Sequence, residues 1–109
     1  MKVQRLLFIC GQNRLRSPTA EQLFASWPGI ETDSAGLKAE AETPVTPEAL
    51  AWADLILVME GSHRRKLAAR FPAALKGKRV VSLDIPDDYE YMDPALVELL
   101  EARVPPLLR

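Results

Sequence analysis

Val3-Gln4-Arg5-Leu6-Leu7-Phe8-Ile9 runs directly into Cys10-Gly11-Gln12-Asn13-Arg14-Leu15-Arg16-Ser17-Pro18. The change of character between the two stretches decides the fold. The first is a short apolar run rich in strand formers. Polarity rises abruptly at Cys10, and Ser17-Pro18 then reads as a helix N-cap followed by proline at the first helical position. Ala20, Leu23, Phe24 and Trp27 follow at helical spacing, and Pro28-Gly29 closes that helix.

The alternation continues outward. Ile30 to Ala35 reads as a second strand, weakened by Glu31 and Asp33, and Lys38 to Val45 is a polar, acidic loop. Thr46-Pro47-Glu48 repeats the cap-plus-proline signature and opens a short helix through about Trp52. Asp54 to Met59 is the clearest strand. Ser62 is placed to cap the next helix, with Leu67, Ala68 and Phe71 on one side. Arg79 to Leu83 is a fourth strand after the Lys76-Gly77-Lys78 turn. Asp93-Pro94 opens a last helix with Leu96, Val97, Leu99, Leu100 and Val104 inward, and Pro105-Pro106 stops it. Four strands alternating with helices predict an α/β fold of three layers, α/β/α, with a four-stranded parallel sheet of flavodoxin-like type. Ligands of such sheets bind at the carboxyl ends of strands, where Cys10 sits.

Composition narrows the function. The 109 residues are too few for two domains, so one domain over 1–109 is expected. Apolar residues at 48% and charged residues at 27% describe a soluble globular chain rather than a disordered one. Lys plus Arg is 14 against 15 for Asp plus Glu, and a net charge of −1 argues against a nucleic-acid-coating protein. No apolar run approaches the ~20 residues of a membrane span, and no nucleic-acid or membrane partner is expected. The start, Met1 to Ile9, is too short and too interrupted for a signal peptide, which predicts a cytoplasmic protein. A single cysteine permits no internal disulfide and no cysteine-built metal site. The chain has neither a Gly-x-Gly-x-x-Gly turn nor a phosphate loop ending in Lys-Ser or Lys-Thr.

The loop after the first strand carries the chemistry. A chain leaving a strand and entering a helix aims backbone N–H groups and a helix N-terminus at one point, which makes an anion site. Arg16 adds a planar fork suited to two phosphate oxygens. The helix end and the guanidinium both favour a thiolate at Cys10, and Ser17 is placed to donate a hydrogen bond to its sulfur. Charge agrees locally: Lys2, Arg5, Arg14 and Arg16 all precede Glu21, the first acidic residue.

Cysteine, five residues, arginine and serine in this setting resemble the low molecular weight protein tyrosine phosphatase family. Ser17-Pro18-Thr19-Ala20-Glu21 is similar to the start of that family's first helix, and Asp33-Ser34-Ala35-Gly36 to its second-strand signature. Ala53 to Met59 resembles its third strand, and Ile85-Pro86-Asp87-Asp88-Tyr89 its acid-bearing loop. The resemblance covers most of the chain, in order, as a short member. It implies that Cys10 attacks phosphorus and forms a cysteinyl-phosphate. It implies that Arg16 and the loop from Gly11 through Gln12, Asn13, Arg14 and Leu15 to Ser17 bind the phosphoryl oxygens, and that an aspartic acid protonates the leaving phenolate and then activates water. No metal or other cofactor is implied. The expected substrate is a phosphorylated protein or a small aryl phosphate; the oligomeric state is open.

Aligning Pro86-Asp87-Asp88-Tyr89 on the family's Asp-Pro-Tyr loop makes Asp87 the general acid, with Asp93 in reserve because it also precedes proline. Asp93 is equally well placed as the N-cap of the last helix. Tyr89 matches a family tyrosine near the substrate pocket. Three departures stand out. Gln12 fills a slot that is usually glycine, where a positive φ would strain it, and Asn13 tolerates left-handed backbone better. Leu15 replaces the second cysteine of many eukaryotic members, so no disulfide within the chain protects an oxidised Cys10. The chain is also shorter than typical members, and no Trp or Tyr lies between Gly36 and Trp52, so the pocket is expected to be open. His63, the only histidine, is expected to be exposed beside Arg64 and Arg65. Arg64, Arg65, Lys66 and Arg70 form a basic helical face, which is either simply solvated or a dock for an acidic protein substrate. Arsenate reduction through an external thiol, a phosphocysteine carrier of the cellobiose-type IIB kind and a phosphate-binding module with weak activity remain alternatives.

Overall fold

A computed structural model describes residues 3–108. Met1, Lys2 and Arg109, which enter the expected domain span, the start-of-chain reading and the local charge count, lie outside the described residues. Strands β1 (Gln4–Cys10), β2 (Ile30–Gly36), β3 (Leu55–Val58) and β4 (Arg79–Ser82) alternate with helices α1 (Arg16–Phe24), α2 (Pro47–Trp52), α3 (Gly61–Arg70) and α4 (Pro94–Arg103); a 3₁₀ turn at Pro105–Leu107 follows. All pairings are parallel, in the order β2-β1-β3-β4. That is the doubly wound flavodoxin-like order, as expected.

The two central strands explain the layers. From Leu6 to Cys10 every residue of β1 is buried, and so is all of β3. Alternate side chains of a strand point to opposite faces, so each face needs its own cover. Leu6, Phe8, Leu55 and Leu57 pack with Ala20 and Phe24 of α1 and with Leu96 and Leu100 of α4. Leu7, Ile9, Ile56 and Val58 pack with Leu50 of α2 and Leu67 of α3 on the other side. Phe24 stacks on Phe8 at 5.9 Å and meets Trp27 edge-on at 4.8 Å. No helix among the described residues is long and apolar enough to cross a membrane.

Element ends differ from the sequence reading where side chains or backbone intervene. β1 starts at Gln4 rather than Val3, and β2 gains Gly36. Asp54 stays outside β3 because its carboxylate accepts from the Arg5 amide at 2.9 Å. Leu83 falls just past β4, although its amide still donates to Val58. Two caps are as read: Thr46 Oγ1 accepts from the Ala49 amide, and Asp93 Oδ1 from the Ala95 amide. Two are corrected. Leu15, not Ser17, precedes the first turn of α1, and Glu60, not Ser62, precedes α3. Ala68 is exposed, so the buried side of α3 is His63 and Leu67, with Phe71 half-buried beyond its end.

In-register parallel pairing brings the carboxyl ends of three strands to one edge. Cys10 lies opposite Gly36, Ile9 lies opposite Val58, and Met59 and Glu60 continue from β3 at the same level. Gly36 is required there. A Cβ at this position would sit 2.5 Å from Ala41 Cβ and 3.0 Å from the Asn13 amide nitrogen. The loop after β1 therefore folds onto bare backbone.

Candidate active site

Cys10 ends β1 at the floor of a cleft of about 620 Å³ that opens between the loop 11–16, the turn after β2 and the length of α3. The sulfur is recessed, with the residue only 3% exposed. Two groups fix it, and a third braces one of them. The Asn13 amide donates to Sγ at 3.2 Å, and Ser17 Oγ lies 2.9 Å from Sγ and 2.9 Å from Asn13 Oδ1. A hydroxyl carries one hydrogen. It donates to Asn13 while the thiol donates to it, and to the sulfur once the thiol has lost its proton.

Local backbone geometry follows from this. Asn13 takes φ 57°, which asparagine tolerates better than most residues, and Gln12 does not have positive φ. The strain expected at Gln12 is therefore absent. Among the amides of Gly11 to Leu15, only that of Asn13 has an acceptor among the described residues, and the acceptor is the sulfur. Gly11, Gln12, Arg14 and Leu15 line the cleft with their amide hydrogens unspent among the described residues. Asn13 and Ser17, both expected to touch phosphate, are buried behind the sulfur and brace the loop instead.

Arg16 sits in the first turn of α1 with its side chain 5% exposed. A buried guanidinium needs a partner. Its Nη1 donates to Glu60 Oε2 at 2.6 Å and to the Ile85 carbonyl at 2.7 Å. The Nε–Nη2 edge makes no hydrogen bond among the described residues, which leaves the planar fork open on one side. Asp87 Oδ1 lies 3.7 Å from Nε, beyond hydrogen-bond length. The loop that carries Asp87 is fixed two residues earlier, where buried Ile85 donates its amide to the Met59 carbonyl.

The structure thus brings Cys10, Arg16 and Asp87 together. Asp93 lies outside the lining and is spent as the cap of α4. Tyr89 does not line the cleft either; it packs against the core face covered by α1 and α4, so its expected place in the substrate pocket is corrected. No Phe, Tyr or Trp among the described residues lines the cleft, which is open as expected.

Glu60 and His63 are, with Lys38, cleft residues that the sequence reading did not place there. Glu60 follows the apolar run of β3 directly, so its place at the carboxyl end of a central strand was the available signal. Its hydrogen bond from Arg16 holds the carboxyl below the usual 4.5. His63 is buried rather than exposed, with Nε2 3.7 Å from Glu60 Oε2 and Nδ1 without a hydrogen-bond partner among the described residues. Burial is the main cause that pushes its imidazole below the ordinary 6.5.

Comparison with known proteins agrees with this geometry. Residues 5–53 match the family described as low molecular weight phosphotyrosine protein phosphatase. A probable low molecular weight protein-tyrosine-phosphatase EpsP of Ralstonia nicotianae is 29% identical over 127 aligned positions, covering 91% of this chain and 88% of that protein. Among solved structures, the YwlE arginine phosphatase of Geobacillus stearothermophilus is similar with a TM-score of 0.77 at 25% identity, covering 95% of this chain and 90% of the other. The tyrosine phosphatase Wzb of Escherichia coli K30, in complex with phosphate, has a TM-score of 0.74 at 28% identity, covering 93% of each chain.

Proposed function

We propose that this chain belongs to the low molecular weight protein tyrosine phosphatase family, which the match over residues 5–53 and the 29% identical relative support, and that residues 1–109 act as one phosphatase domain that hydrolyses aryl phosphate esters, phosphotyrosine in proteins foremost. What supports this above all is the cleft floor: a sulfur held by an amide and a hydroxyl, beneath a guanidinium whose open edge faces the same space as Asp87.

The steps follow from these positions. Cys10 Sγ, as thiolate, attacks phosphorus while the P–O bond to the aryl group breaks. Protonated Asp87 gives its proton to the leaving oxygen. The free amides of the loop and the Nε–Nη2 edge of Arg16 hold the three equatorial oxygens, whose charge is greatest in the transition state. In the second step the Asp87 carboxylate takes a proton from water, the water oxygen bonds to phosphorus, and the S–P bond breaks. Inorganic phosphate leaves and the thiolate is restored, with Ser17 donating to it. Glu60 is a positioning residue that holds Arg16 by the side not needed for substrate. No step calls for a metal ion. A thiol of this kind needs reducing surroundings, so we place the protein in the cytoplasm.

A second reading, phosphoarginine hydrolysis, is favoured by one observation, the likeness to an arginine phosphatase. A carrier or a binding module would not need the acid-bearing loop fixed over Arg16.

Hydrolysis of p-nitrophenyl phosphate in the presence of a chelator tests the proposal. Cys10→Ser is expected to abolish turnover while phosphate still binds. Arg16→Ala is expected to lose about 10²–10³ in kcat, and Asp87→Ala about 10²–10⁴. Asp93→Ala is expected to keep a rate close to the wild type. A larger loss from Asp93→Ala than from Asp87→Ala would contradict the acid assignment, and unchanged turnover in Cys10→Ser would contradict the chemistry.

A further inference from the structure

We propose that this phosphatase reads negative charge beside the phosphorylated residue, with Arg14, Lys38, Lys66 and Arg70 receiving acidic side chains of a phosphoprotein substrate. The proposal rests on the phosphatase reading and adds what lies beyond the phosphoryl group.

Three segments deliver these cations to one cleft: the loop after β1 supplies Arg14, the turn after β2 supplies Lys38, and α3 supplies Lys66 and Arg70. Arg64 and Arg65 of the same helix do not line it, so the helix phase divides the basic face in two. The chain as a whole carries −1, so placement and not composition makes the cleft positive. Its two carboxylates, Glu60 and Asp87, both lie against Arg16. None of the four outer cations has an ion pair among the described residues.

Two of them are held in place. Arg70 donates Nη1 to the Leu37 carbonyl and rests its guanidinium 5.1 Å from the Phe71 ring centroid. Arg14 Nη1 reaches Gln12 Oε1 at 3.4 Å. Reach excludes the phosphoryl group as the partner of the far end. From His63 to Arg70 the helix advances about 10 Å, whereas a phosphoryl group seated between Cys10 and Arg16 is one tetrahedron across. At that distance Arg70 faces what the phosphate is attached to.

What the walls lack points the same way. Leu15, Leu37 and Ala69 are the apolar lining, and no Phe, Tyr or Trp ring among the described residues is available to stack on a phenyl group. Ring stacking therefore does not supply selectivity, and charge does. A phosphoguanidine substrate, whose leaving group is cationic, would meet repulsion from four unpaired cations. An acidic phosphotyrosine segment meets complementarity, which chiefly raises association rates and is weakened by salt.

The test compares kcat/KM of the full chain on phosphotyrosine peptides of equal length with acidic, uncharged and basic flanks, on a phosphoarginine peptide, and on p-nitrophenyl phosphate, at low and high salt. The acidic peptide is expected to be preferred, with the preference shrinking as salt rises. Lys38 and Lys66 are exposed and their side chains make no hydrogen bond among the described residues, so Lys38→Ala with Lys66→Ala removes charge while leaving the backbone hydrogen bonds in place. The double variant is expected to lower kcat/KM for the acidic peptide about 3- to 30-fold more than for p-nitrophenyl phosphate. Equal rates on acidic and basic flanks, a preference for phosphoarginine, or equal losses on both substrates would overturn the proposal. Absence of turnover on every substrate would instead overturn the phosphatase reading beneath it.

Discussion

A histidine followed by two arginines has every sequence reason to face water, yet His63 is buried against Glu60 and lines the cleft. The reason is helix phase. α3 begins after Glu60, not Ser62, and residues 63, 67 and 71 then fall on one stripe at i, i+4 and i+8. That periodicity was present in the sequence, but the neighbouring charges outweighed it. The Cys10–Arg16 pair was legible because its spacing is dictated by chemistry; Ser17 was legible as a partner of the sulfur, and only its reading as a helix cap fails, since its hydroxyl serves the sulfur instead of a helix end. Burial of His63 has a consequence for pH. Its folded-state pKa lies below the ordinary 6.5, mainly through desolvation. An unfolded chain therefore takes up a proton that the folded one refuses, and stability falls as pH drops from 6.5 to the folded value, then levels off. Glu60 acts in a lower window, because its lowered carboxyl withdraws stability only as pH falls below 4.5. Melting temperatures between pH 8 and 5 should decline in the wild type and decline less in His63→Gln. An identical decline in both would contradict the burial.

Elements were easier to read than their ends. The alternation of apolar runs and capped helices sets strand order and layers, because β1 and β3 are apolar on both faces and must be central. Thr46 and Asp93 announce α2 and α4 correctly since nothing competes for their side chains, whereas Ser17 sits beside a sulfur and Ser62 a residue inside the true first turn. Tyr89 shows the opposite limit: a family resemblance puts it at the pocket, but the loop after β4 turns it onto the core. Gly36 links element to site. The close approach of Asn13, Gln12 and Ala41 leaves no room for a side chain. Gly36→Ala should destabilise the fold by about 1–3 kcal/mol through overpacking and weaken phosphate binding by displacing the loop. Chemical denaturation and phosphate titration check this together; unchanged stability with unchanged phosphate affinity would show that the loop does not depend on that contact.

At the scale of the molecule, a nearly neutral chain places four cations without ion pairs among the described residues at the edge of the sheet where three strands end. The sequence holds the charges, but only the packing of α3 against β3 and β4 decides which of them share a space with Cys10. The same edge carries the central claim, that Cys10 becomes transiently phosphorylated. Rapid quenching of the enzyme with p-nitrophenyl phosphate, followed by peptide mass spectrometry, tests it most directly. Asp87→Ala should slow the hydrolysis of the intermediate as well as its formation. The account predicts a phosphoryl group on the peptide containing Cys10, in the wild type and in Asp87→Ala, and none in Cys10→Ser. Turnover in which no phosphoryl group is ever found on Cys10, or one found on another residue, would contradict it.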